Sequence, residues 1–128
     1  MPPIHGLQRW LVRLILGAVG AQFVLAGAGA FGATSFKPHT AIGWFTAALG
    51  LIAVAVAALG RRELPATASL FAVVAIQIAL GVLGEKTSAW FGAVHGLNAL
   101  IVAGAAVNLA RRTHSLHPSV NHTRIGAP

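Results

Sequence analysis

HTAIGWFTAALGLIAVAVAALG, residues His39–Gly60, is the stretch that decides the fold. It runs for 22 residues without one Asp, Glu, Lys or Arg, and a helix of about 20 residues covers the ~30 Å hydrocarbon layer of a bilayer. It therefore reads as a membrane-spanning helix. Working outward, the pattern recurs at Leu14–Ala33, Leu64–Gly84 and Ala89–Ala110, each free of acidic and basic residues. Arg9 and Arg13 ahead of Leu14–Ala33 also suit a signal peptide. The run is too long for an apolar signal core, however, and its removal would unpair the internal repeat described below.

Composition agrees with four spans. Of 128 residues, 56% are hydrophobic and only 9% charged, and the mean hydropathy is +0.77. A water-soluble domain carries roughly a quarter of its residues as ions, so that class is excluded, and so is a disordered chain. Cysteine is absent, which removes disulfides, thiolate nucleophiles, iron–sulfur clusters and Cys-type zinc sites. The net charge of +7 does not point to nucleic acid, because the charges fall at the breaks between apolar runs, where membrane proteins place them.

The breaks are short: Thr34–Pro38, Arg61–Glu63 and Glu85–Ser88. Consecutive helices must then be antiparallel neighbours. The predicted fold is all-α, a transmembrane up-down four-helix bundle over residues 1–112, followed by a polar tail over 113–128. Thr34/Ser35 and Thr87/Ser88 are N-cap types ahead of the second and fourth spans, and Pro65 suits the first turn of the third. Arg9, Arg13, Arg61, Arg62, Arg111, Arg112 and Arg124 fall on one side, and Lys37 and Lys86 on the other. The positive-inside rule then places both termini in the cytoplasm, as expected for a bacterial inner-membrane protein.

The halves resemble each other. Gln22-Phe-Val-Leu25 in the first span matches Gln77-Ile-Ala-Leu80 in the third, a Thr-Ser pair follows each, and a His opens the next span. Gln22 to His39 is 17 residues and Gln77 to His95 is 18. Two helix-hairpin repeats of parallel topology imply a pseudo-twofold axis along the membrane normal, with the second and fourth spans diagonal to each other.

His39 and His95 are the only histidines in the apolar runs. A polar group in lipid costs several kcal/mol unless it is satisfied. Two imidazoles at matching places near the outer face can point at each other across the bundle axis. A six-coordinate haem iron fits between such a pair, the porphyrin filling the in-plane positions and the histidines the two axial ones. One haem b per chain is the expectation, with His39 and His95 as iron ligands. Gly43 and Gly96 would lower the bulk where the macrocycle approaches, and Lys37 and Lys86 would face its propionates. The competing reading is one interfacial His and one hydrogen-bonded in a helix seam. Ser35 to His39 is four residues and Ser88 to His95 seven, so at ~1.5 Å per residue the two could differ by roughly 4–5 Å in depth. Helix tilt or an earlier start to the second span would absorb this.

Gln22, Gln77 and Asn98 can hydrogen-bond a cofactor, a quinone or a His, or join helices. Asn98 lies three residues beyond His95, on nearly the same face. The glycines of the first span suit close packing, and Trp10, Trp44 and Trp90 suit interface anchoring, Trp44 and Phe91 being able to flank a porphyrin as well. His114, His117 and His122 belong to a solvated tail without metal-binding scaffold, His5 precedes the first helix, and the sequon Asn121-His-Thr123 falls on the cytoplasmic side.

With these residues, the chain resembles a small four-helix membrane cytochrome b. It is similar to bacterial four-span membrane proteins with Gln-x-x-Leu in odd helices and His opening even ones, and more distantly to half of a haem A synthase. The resemblance covers Gln8–Arg112. It implies haem ligation by His39 and His95, but not haem hydroxylation, since no carboxylate lies in a membrane run. Nor does it imply a relay through two stacked haems, which needs four membrane histidines. The expected function is single-haem electron transfer between a quinol pool and an outer-side partner, alone, as a homo-oligomer or within a respiratory complex. The alternative is a cofactor-free accessory subunit packing through its Gly/Ala faces. A transporter or channel is disfavoured by the lack of intramembrane acids.

Overall fold

The computed structural model describes residues 2–114. They form helices α1 (Pro2–Ala30), α2 (Lys37–Gly60), α3 (Leu64–Lys86) and α4 (Ala89–His114), with no strand among the described residues. All four are long and apolar enough to cross a membrane, which makes the chain a multi-pass membrane bundle. Each helix packs on two others: α1 on α2 and α4, α3 on α2 and α4. The pairs α1/α3 and α2/α4 are diagonal, as the repeat requires.

Helix α1 begins twelve residues before its apolar run. Gln8, Leu11, Val12, Ile15 and Val19 are buried, a spacing of three and four that makes one helical stripe, while Trp10 and Arg13 point outward. Arginines on the outward face end the apolar run without ending the helix. His5 thus lies within α1 rather than ahead of it, its side chain being outside the described set. At its other end α1 closes through Gly32, whose φ of +74° is a left-handed conformation that glycine adopts without strain. Ala33 N–H then reaches back to the Ala28 carbonyl at 2.8 Å.

Helix α2 starts without a side-chain cap: Phe36 holds the N-cap position and Pro38 lies in the first turn. The expectation that Thr34 or Ser35 caps it is corrected, because the chain bends through both before the helix begins. Ser88 does cap α4, its Oγ accepting from Trp90 N–H at 3.3 Å, and Pro65 sits in the first turn of α3. The Arg61–Glu63 turn places both end residues in the left-handed region, and its Arg62 carbonyl accepts from buried Gln8 at 3.3 Å. Arg112 pairs loosely with Glu63 at 3.7 Å. Helix α4 runs on through Thr113, which is buried and bonded back to Leu109 O at 3.1 Å.

The core is confined to one end. Val12, Ile15, Ala53, Val56, Leu70, Val74, Ala106 and Leu109 pack together near the arginine-bearing ends of the helices. From residue 20 to 45 and from 75 to 97, no described residue is buried. We call these the basic end and the histidine end.

Candidate functional site

His39 is the third residue of α2 and His95 the seventh of α4. They extend from diagonally opposed helices, and their ring centroids lie 5.9 Å apart with planes inclined at 71°. The feared depth mismatch is absorbed by the connections. The first hairpin spends residues 31–36 on a loop where the second turns after only residues 87 and 88, so α4 supplies as helix what the first half supplies as loop.

Each histidine is clamped to its own hairpin through the matching glutamine. His95 Nδ1 lies 2.8 Å from the Gln77 carbonyl, and the Gln77 side chain returns a bond from Nε2 to the His95 carbonyl at 2.9 Å. His39 Nδ1 lies 3.2 Å from the Gln22 carbonyl. The Gln22 amide is set by its neighbours, its oxygen accepting from Gly43 N–H at 2.7 Å and its nitrogen donating to the His39 carbonyl at 3.0 Å. Contacts nearer the loops repeat as well. A Cβ on Gly29 would come within 2.9 Å of the Phe36 ring, and one on Gly84 within 2.8 Å of Gly92 N. Gly29 and Gly84 each stand seven residues after their glutamine, while Phe36 and Gly92 each stand three before their histidine. The Phe36 ring meets His39 edge-on at 6.4 Å.

The remaining site candidates separate into those facing the histidines and those that do not. Gly43 abuts the Gln22 amide, so the room it makes is used by that side chain. Gly96 is exposed with open space around it. Asn98 is buried and turned to α3, donating to Gln77 Oε1 at 2.7 Å and to the Val73 carbonyl at 3.1 Å. Lys37 and Lys86 are exposed at the start of α2 and the end of α3, both at the histidine end. Trp44 lines an apolar groove with Ala47 and Phe71, Ala79 and Val82 across from it on α3. Phe91 and Trp90 face outward. His114 is the exposed last residue of α4, whereas His117, His122 and the sequon lie outside the described residues.

Gly81 was not among the candidates, yet a Cβ there would lie 3.2 Å from His95 Nδ1 and Cε1. Its signal is its place four residues after Gln77, hence on the same helix face. Among the described residues no three metal-binding side chains cluster. A pair is what a macrocycle-bound iron needs. At 5.9 Å the rings stand at the distance of an edge-on aromatic contact, near enough for one bound group to reach both. Both rings are half-buried, and every buried side-chain polar atom among the described residues is satisfied. Two imidazoles brought together from diagonal helices are the donor set that an iron held in a macrocycle would use. No known protein family, curated protein or solved structure matches the chain.

Proposed function

We propose that this chain is a membrane-bound b-type cytochrome that holds one haem between His39 and His95 and carries electrons between a quinol pool and a partner at the outer face. The observation that carries the reading is the meeting of the two rings at 5.9 Å from diagonal helices, within the stretches 20–45 and 75–97, where no described residue is buried. The haem, when bound, supplies one-electron redox chemistry, and two protein ligands favour electron transfer over oxygen chemistry. The chain's own residues do the rest. Gln77 and Asn98 orient the His95 ring, Gly81 lets it lie against α3, and Gln22 holds His39. Lys37 and Lys86, the only lysines in the sequence, stand where they can offset propionate charge. The arginine excess at the opposite end supports an inner-membrane protein with cytoplasmic termini.

An absorption spectrum of the purified protein, taken with and without dithionite, tests this. The reduced protein is expected to show low-spin b-type bands at one haem per chain, lost in both His39→Ala and His95→Ala. Bands that survive in both variants overturn the assignment. A second reading, an accessory subunit without cofactor, draws on the outward glycines Gly17 and Gly20 of α1 and Gly96 and Gly104 of α4, which leave open space for another helix. Purification of a stable, colourless complex with a larger membrane protein would favour it.

A further inference from the structure

The two halves differ at one point that governs which ring nitrogen carries the proton. Gly43 N–H can only donate and the His39 carbonyl can only accept, so they fix the Gln22 amide with oxygen toward Gly43 and nitrogen toward His39. That nitrogen also lies 2.7 Å from His39 Nδ1. An amide NH₂ cannot accept, so His39 Nδ1 must offer a lone pair, and the proton of the neutral ring sits on Nε2. In the second half the amide is arranged otherwise. Gln77 Nε2 is directed at the His95 carbonyl, its Oε1 is taken by Asn98, and His95 Nδ1 faces the Gln77 carbonyl at 2.8 Å. A carbonyl only accepts, so His95 Nδ1 carries the proton and Nε2 is bare. The difference traces to the residues three and four places after each histidine: Ile42 and Gly43 in one half, Asn98 and Ala99 in the other.

We infer that the two imidazoles are held in opposite tautomers, which makes His95 the anchoring ligand of the site and His39 the exchangeable one. The tautomer difference belongs to the protein alone, whereas the ligand roles rest on the haem reading. His95 presents its lone pair as it stands. His39 must move one proton from Nε2 to Nδ1, with no change in charge, and exchange the Gln22 amide for the Gln22 carbonyl at 3.2 Å before it can ligate. A small neutral ligand for reduced haem then competes with His39 and not with His95.

Nitrogen-15 NMR of histidine-labelled protein in detergent, without haem and with the rings neutral, tests the first part. His95 is expected wholly as the Nδ1–H form and His39 as the Nε2–H form, with Gln22→Leu converting His39 to Nδ1–H. The same tautomer at both rings of the unsubstituted protein overturns the inference. For the second part, haemin-loaded protein is reduced and exposed to carbon monoxide. His39→Ala should keep its haem, lose the low-spin bands and bind carbon monoxide, while His95→Ala should retain haem at least roughly tenfold more weakly. The reverse order, or equal loss, overturns the ligand assignment. Failure of the unsubstituted protein to take up haemin defeats the cytochrome reading and the ligand roles, and leaves the tautomers to be decided by NMR.

Discussion

Asn98 shows how much one side chain can set at this site. It gives both amide hydrogens to α3, one to Val73 O and one to Gln77 Oε1, and so fixes the glutamine that fixes His95. In Asn98→Leu the Gln77 oxygen loses its donor inside an apolar bundle. Interhelical hydrogen bonds in membranes are worth about 0.6 kcal/mol on average and up to about 1.7, so thermal unfolding in detergent should show a loss of about 1 kcal/mol. Because the lost bond orients a ligand, haem affinity should fall further than stability does, by roughly tenfold in a haemin titration. Gly81→Ala separates the two effects. Its Cβ would press on the His95 ring at 3.2 Å, so haem uptake should suffer while the unfolding temperature barely moves. An equal decline in both would mean that Gly81 serves packing. Both histidines, both glutamines and Asn98 are legible in the sequence as polar residues inside apolar runs. What each bonds is not, since Gln22 and Gln77 hold matching places in the repeat and end with different amide partners. Gly81 is hidden among many glycines because only the ring opposite gives it a role.

At the scale of the helices, the α3/α4 hairpin closes backbone to backbone at Gly84 and Gly92. The approach is one-sided: a Cβ on Gly84 would strike Gly92 N at 2.8 Å and Cα at 2.9 Å, whereas one on Gly92 would meet nothing within 4 Å. Backbone cannot yield as a flexible side chain can. Gly84→Ala should therefore force the helices apart and destabilise by about 1–3 kcal/mol, while Gly92→Ala should stay within about 0.5 kcal/mol of the parent. Comparable unfolding midpoints for the two variants would refute the one-sided contact. The Arg112–Glu63 pair is the opposite case, since its 3.7 Å separation and half-exposed arginine predict less than about 1 kcal/mol lost in Glu63→Gln. Helix number and order follow directly from apolar runs and charged breaks. The boundaries follow less well, because a run stops at the first arginine and a helix does not. The stripe of Gln8, Leu11, Val12 and Ile15 carries α1 past Arg9 and Arg13, and period, rather than mean hydropathy, is the signal that reveals it.

For the whole molecule, the division into a packed basic end and a loosely covered histidine end has a consequence for motion. Local opening is easiest where few apolar contacts must be broken. Each hairpin is held together at the histidine end by its Gln–His clamp, but the buried cluster that joins the hairpins lies in residues such as Ile15, Ala53, Leu70 and Ala106 at the other end. This gradient is not legible in the sequence, because burial depends on how the helices cross. Hydrogen exchange in detergent should accordingly be faster across residues 37–45 and 89–97 than across 53–57 and 102–109 when no haem is present. Haem bound between His39 and His95 would couple the hairpins where side-chain packing does not. Adding haemin should then slow exchange in the first two segments and leave the other two nearly unchanged. Protection spread evenly along the helices would indicate general stabilisation by a surface-bound porphyrin, and no protection at all would mean that the two imidazoles meet without a metal between them.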